Sequence, residues 1–239
     1  MKTRTRGAKA VFLGTALLAL AGLAQANPVI SFVPGTLYDT SAISAAATNG
    51  EQMANMTVTA CNLANFCHTN TWLAGAANSQ TGGATDATYF SLTQSDDTFS
   101  GPWTFQSLSA FSRFTINARL GGVAFDTIFG REDSPGSADG LPFTINILGS
   151  DFANLRFNVT YTDQLYVAGN AYRDLYTKMT VDWGSDVVDT MLFQADTDRV
   201  VSTITLLPPV GPNPVPLPGT LALVGAALLG LGLTRRRRG

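Results

Sequence analysis

The chain has 239 residues, 45% of them hydrophobic, with 15 Lys and Arg against 17 Asp and Glu. Eight of the basic residues lie in the terminal segments and every acid lies between Asp39 and Asp198, so the body carries seven basic residues against 17 acids, a formal charge of -10. Such a body repels phosphate backbones and anionic lipid, which excludes nucleic acid as an expected partner, and its length suffices for one domain with a substantial core.

Lys2, Arg4, Arg6 and Lys9 precede an apolar run over residues 10–23, which ends at Ala24-Gln25-Ala26. A cationic start, a short apolar stretch and small residues at a cleavage site predict a secretory signal peptide over residues 1–26, removed by signal peptidase. The body, residues 27–207, is then an exported, extracytoplasmic domain.

Residues 27–85 open with a β-like run, Val29-Ile30-Ser31-Phe32-Val33, and continue as polar, alanine-rich sequence with little readable pattern. From Thr88 onward the apolar period is two. Phe114, Ile116 and Ala118 alternate with Thr115, Asn117 and Arg119, and Phe143, Ile145 and Ile147 alternate with Thr144 and Asn146. Leu155, Phe157, Val159 and Tyr161 share one expected face, and Leu175, Met179, Val181 and Trp183 share another. Half-buried strands have this period, and helical periodicity is nowhere sustained. Turn signals at Gly121-Gly122, Ser134-Pro135-Gly136, Asp139-Gly140, Gly149-Ser150 and Gly169-Asn170 separate the runs. These features predict an all-β fold, an antiparallel β-sandwich of the jelly-roll or Ig-like kind, whose last strand covers residues 200–207. The proline-rich residues 208–214 cannot form a ladder and are expected to act as a semi-rigid spacer.

Cys61 and Cys67, in an exported domain, predict a disulfide. The sharper alternative, a metal site from both cysteines and His68, lacks a fourth ligand, and no Gly-x-Ser-x-Gly elbow accompanies His68 for nucleophilic catalysis. Asp96-Asp97, Asp126, Glu132-Asp133, Asp139, Asp151 and Asp196-x-Asp198 could supply a carboxylate pair, though turn and solubilising roles are the ordinary reading. No cofactor is expected. A calcium site within residues 131–140 or at Asp196-Thr197-Asp198 is a modest alternative without EF-hand spacing. Trp72, Trp103, Tyr166, Tyr172 and Trp183 could stack on sugar rings, although a core is the usual place for such side chains.

The chain ends in Val215-Pro216-Leu217-Pro218-Gly219-Thr220, an apolar run over residues 221–233, and Arg235-Arg236-Arg237-Arg238. The arginines cannot cross hydrocarbon cheaply and act as a membrane stop. The expected transmembrane helix, residues 220–234, has an apolar stretch of about 14 residues, roughly 21 Å against a hydrocarbon core of ~30 Å. Residues 215–239 resemble the PEP-CTERM sorting signal of exosortase substrates, in the variant that has Leu217 where Glu is usual, with Gly219 in place of that variant's Ala. Phe99-Ser100-Gly101-Pro102-Trp103, Val123-Ala124-Phe125-Asp126 and residues 134–140 look like a segment that recurs in the bodies of such proteins, with no activity attached. The resemblance implies exosortase as a processing enzyme and transient membrane anchoring with the C-terminus in the cytoplasm. Residence at the surface or in the polysaccharide matrix of a Gram-negative bacterium would follow.

Three classes of function are therefore expected in this order: a non-enzymatic surface or matrix protein, a carbohydrate-binding or adhesive module, and a secreted glycoside hydrolase. The first prediction concerns export. N-terminal sequencing of the exported protein should begin at Asn27, since Ala24 and Ala26 offer small side chains to the peptidase, and a start upstream of Ala24 would contradict it.

Overall fold

A computed structural model describes residues 28–128, 139–148, 155–185 and 188–208. The signal peptide with Ala24 and Ala26, the turns at residues 134–136 and 149–150, the spacer beyond Pro208 and the whole tail, Val215 through the four arginines, lie outside them. Among the described residues there is no α-helix, and no helix is long and apolar enough to cross a membrane.

The expected run over residues 29–33 is β1 (Val29–Phe32), and strands also fill the rest of the first segment: β2 (Tyr38–Thr40), β3 (Ile43–Ala47), β4 (Thr57–Cys61), β5 (Cys67–Thr71), β6 (Leu73–Ala74) and β7 (Gly82–Asp86). They are followed by β8 (Phe90–Gln94), β9 (Trp103–Ser107), β10 (Arg113–Asn117), β11 (Val123–Asp126), β12 (Thr144–Leu148) and β13 (Asn158–Val167). The chain closes with β14 (Asn170–Asp182), β15 (Thr190–Gln194), β16 (Thr197–Val200) and β17 (Thr205–Leu206). The single strand expected over residues 200–207 is thus two short ones.

The strands form two sheets. An 11-stranded sheet follows the order β17-β2-β13-β14-β10-β4-β5, with β1 on β13, β11 between β14 and β16, and β3 on β16. A 6-stranded sheet runs β12-β15-β9-β8-β7-β6. The sheets enclose a common core, in which Phe114 of β10 meets Phe105 of β9 at 4.9 Å and Phe193 of β15 at 5.6 Å between ring centroids. The body is an all-β sandwich. Its alternation is the expected one where it was clearest: Phe114, Ile116 and Ala118 are buried, as are Leu155, Phe157, Val159 and Tyr161.

Two departures have physical causes. The pairings are antiparallel except that β1 and β2 both run parallel to β13, lying one after the other along its length. The link between them is fastened where Gln164 donates its amide to the Pro34 carbonyl at 2.9 Å and Thr36 donates to the Asp163 carboxylate at 3.1 Å. Asp163 occupies the left-handed region at φ 64° and forms an ion pair with Lys178 at 2.7 Å. Opposite this point the parity of β14 breaks. Tyr176 and Met179 both enter the main core, and Leu175, expected beside Met179, instead joins Ile43, Ala124, Leu165, Val167 and Val200 in a second, smaller apolar cluster.

The β13–β14 hairpin turns at Ala168-Gly169, one residue before the expected Gly169-Asn170. Val167 pairs with Asn170, and φ is 51° at Ala168 and 77° at Gly169. Positive φ at both central positions matches the right-handed twist of the flanking strands. A Cβ makes this region costly, by roughly 1–2 kcal/mol for most residues and less for Asn. Ala168→Asn, which creates the favoured Asn-Gly turn, should stabilise the protein by about 0.5–1 kcal/mol in urea unfolding; a loss of stability would show that the turn has another conformation.

Candidate functional site

The β4–β5 register sets Cys61 opposite Cys67, with Cα atoms 4.1 Å apart and an S–S bond of 2.04 Å. The connecting loop is compact: Asn62 donates its amide to the Phe66 carbonyl, and Phe66 donates to the Asn62 side chain, both at 3.0 Å. With both sulfurs engaged, the metal site considered for Cys61, Cys67 and His68 loses two of its three ligands. His68 stacks on Tyr89 at 3.3 Å between centroids and meets Phe66 edge-on at 4.8 Å, so it serves as a packing ring. Among the described residues no group of three or more His, Cys, Asp or Glu gathers where a metal could sit, Asp196-Thr197-Asp198 included. The other candidate calcium segment falls mostly outside the described residues.

All three tryptophans are buried, and each indole N–H is satisfied by a backbone carbonyl. Trp72 donates to Gly50 at 2.8 Å, Trp103 to Ala195 at 2.9 Å and Trp183 to Phe111 at 3.0 Å. They are core residues that also tie loops down. Tyr166 and Tyr172 are half-buried, on different strands of the β13–β14 hairpin.

The acids divide into turn residues and interior residues. Asp96 has φ 66°, and the Asp97 carboxylate accepts the Ser100 amide at 2.8 Å and its hydroxyl at 2.6 Å. Burial pulls the Asp97 carboxyl upward, but these bonds prevail and hold it below the usual value. Asp126, Asp196 and Asp198 lie inside the protein, at 1–2% exposure. Asp196 accepts the Thr98 hydroxyl and the Thr197 amide, each at 2.8 Å. Thr98 in turn donates its amide to the Thr48 carbonyl at 2.7 Å, and Thr48 donates to the Thr197 carbonyl. This knot joins the turn after β8 in one sheet to β3 and β16 in the other. Burial pushes the Asp196 carboxyl up to about 7, against the Thr98 bond and with help from the Asp126 charge. The phenol of Tyr161, which accepts the Phe143 amide at 2.8 Å, is raised by its own burial and by the Asp196 charge.

The concave surfaces lie elsewhere. One cleft of about 440 Å³ follows the outer face of the second sheet, lined by threonines 81, 85, 93 and 104 with Ser95 and Leu73. A second, of about 430 Å³, is lined by Asn49, Glu51, Gln52, Asn78, Gln80 and Arg199. Its walls are a 3₁₀ turn at Gly50–Met53, the loop before β7, and β16. The first two walls touch through glycines: a side chain on Gly50 would overlap the Gly82 amide, and one on Gly82 would overlap the Gly50 carbonyl and the Trp72 indole nitrogen. The Trp72–Gly50 bond fixes the spacing. Asn49 and Gln52 form a capping box, Gln52 donating its amide to the Asn49 side chain at 3.1 Å and Asn49 donating to the Gln52 side chain at 3.2 Å. The Asn49-x-x-Gln52 spacing is legible in the sequence as a helix start. Its partnership with Asn78, Gln80 and Arg199 is set by tertiary packing and has no local signal.

The buried knot generates a pH prediction. Folded protein holds the Asp196 proton that the unfolded chain releases near 3.8, so this stability is fully present below about 4 and lost as pH rises through about 7. Asp196→Asn, which keeps the acceptor for Thr98 and adds no charge, should flatten the decline between pH 4 and pH 8, a difference on the order of 4 kcal/mol in denaturant unfolding. Parallel pH profiles for the two proteins would contradict it. No protein-family model matches the chain, and no curated protein and no solved structure matches it either.

Proposed function

We propose that the protein is a non-enzymatic component of a bacterial cell surface or extracellular polysaccharide matrix, exported through its signal peptide and sorted by exosortase. The observation that carries the proposal is the tail: Val215-Pro216-Leu217-Pro218-Gly219-Thr220, then the apolar run, then Arg235 to Arg238. The finer features belong to the same reading. The sandwich is of the jelly-roll or Ig-like kind, and a short helix over residues 220–234 holds the chain in the membrane until it is cut.

Physical chemistry supports each part. A helix roughly 4–5 Å short of each bilayer face, most of a turn, is a poor permanent anchor, yet four arginines at its inner end suffice to retain it for processing. Pro214, Pro216 and Pro218 disfavour helix and ladder just outside the membrane and keep that backbone extended for a membrane-embedded enzyme. The Cys61–Cys67 bond is of a kind that persists outside the reducing cytoplasm. Once cut, the acidic body has no cationic or apolar segment left to hold it on anionic lipid.

The test uses one epitope after Asn27 and another after Gly239, in hosts with and without exosortase. With the enzyme, the mature band should lack the C-terminal epitope; without it, both epitopes should remain on one membrane band. A full-length membrane band carrying both epitopes in both hosts would make the protein an ordinary single-pass membrane protein.

A further inference from the structure

The cleft formed by Asn49, Glu51, Gln52, Asn78, Gln80 and Arg199 points to a saccharide site, and the geometry assigns it to neutral sugar units presenting adjacent hydroxyl pairs. The inference rests on the matrix-facing location proposed above, which brings saccharide to the surface, and it adds the chemical class of the ligand.

The lining excludes most other small ligands. It contains no aromatic ring on which a nucleobase could stack and no apolar wall for a lipid or an apolar side chain, so the usual apolar gain of a small-molecule site is absent. The lining holds one guanidinium and one carboxylate, which leaves no excess positive charge for a phosphate. The body around it has a formal charge of -10, which opposes polyanions at long range.

What remains is a set of planar hydrogen-bonding groups of both kinds. The capping box engages the side-chain oxygens of Asn49 and Gln52, leaving their NH₂ groups as donors. Among the described residues no hydrogen bond or ion pair engages the Glu51 carboxylate, the Arg199 guanidinium or the Asn78 and Gln80 amides. Glu51 can accept two hydroxyls side by side, Arg199 can donate in a fork, and the four amides supply further donors and acceptors. A sugar hydroxyl is both donor and acceptor, so a pair of neighbouring hydroxyls answers such a lining on both sides. The cleft volume lies in the range of small-ligand sites and suits a mono- or disaccharide.

The frame holding these groups is rigid. Asn78 and Gln80 sit at φ 62° and 58°, and Gln80 accepts the Gly50 amide at 3.0 Å. The Gly75 amide donates to Thr81 at 2.7 Å across the base of the loop, and the Ser79 and Thr81 hydroxyls meet at 2.7 Å. Together with the Trp72 bond to Gly50, these contacts fix the backbone from which the lining side chains project, so that binding has to order the side chains alone.

The experiment is saturation-transfer NMR on the full, unprocessed chain in detergent micelles. The probes are maltose, cellobiose and lactose, with digalacturonate and a Ser-Gly tetrapeptide as further arms. Transfer from at least one neutral disaccharide is expected, weakened about tenfold or more in Arg199→Met and in Glu51→Leu, since each removes a charged hydrogen-bonding group. Asn78→Gly, which the positive φ accepts, should weaken it as well while near-ultraviolet circular dichroism stays unchanged. Transfer from no neutral sugar, transfer from the uronate or the peptide alone, or transfer indifferent to all three substitutions would overturn the assignment. Because the assay needs neither export nor cleavage, its failure is separable from failure of the sorting proposal, which the two-epitope blot reads.

Discussion

The main core of the body is organised on one continuous chain of aromatic rings between the two sheets. Trp72 meets Trp103 at 5.4 Å, Trp103 stacks on Phe193 at 5.8 Å, Phe193 on Phe114 at 5.6 Å, and Phe114 reaches Phe105 at 4.9 Å. Pairs of this geometry contribute about 0.5–1.5 kcal/mol each beyond the area they bury. Each tryptophan also satisfies its indole N–H with a loop carbonyl, so the core and the loops are fixed together. The consequence for function is direct. The tryptophan rings are structural here, and Trp72 itself holds one wall of the polar cleft in place.

The interior acids belong to the same logic. An unpaired carboxylate inside an aromatic core would be costly, and Asp196 is accommodated by two donors and by a raised affinity for its proton. Its bonds to Thr98 and Thr197 tie the turn after β8 to β16, across the sandwich. Asp96-Asp97 and Asp196-x-Asp198 look alike in the sequence as acidic pairs. One is a surface turn and the other an internal fastening, a distinction that only the third dimension creates.

The fold was legible where one face of a strand is buried and the other wet, as in Phe114-Thr115-Ile116-Asn117 and Phe157-Asn158-Val159-Thr160. Within residues 27–85 the β-like run over residues 29–33 was legible and became β1, whereas the short strands after it carry alanine, threonine and asparagine and owe their existence to pairing. The parallel placement of β1 and β2 on β13 had no local signal, because Asp163 and Pro34 make it through contacts remote in sequence. The hairpin turn was displaced by one residue because Ala168 tolerates a conformation that its side chain disfavours. Cys61 and Cys67 could be paired from their spacing and from the export that the N-terminal residues predict. The cleft could not, since Asn49, Asn78 and Arg199 are ordinary surface residues until packing assembles them.

Every tryptophan is structural, and the cleft at Asn49 and Arg199 is polar without any of them. Steady-state fluorescence of the full chain tests it most directly, because all three tryptophans of the sequence lie in the body. The account predicts blue-shifted emission, negligible quenching by iodide, and no spectral change when neutral disaccharide is added. Red-shifted emission with an iodide-quenchable fraction, or a shift on adding sugar, would place a tryptophan at the surface and contradict it.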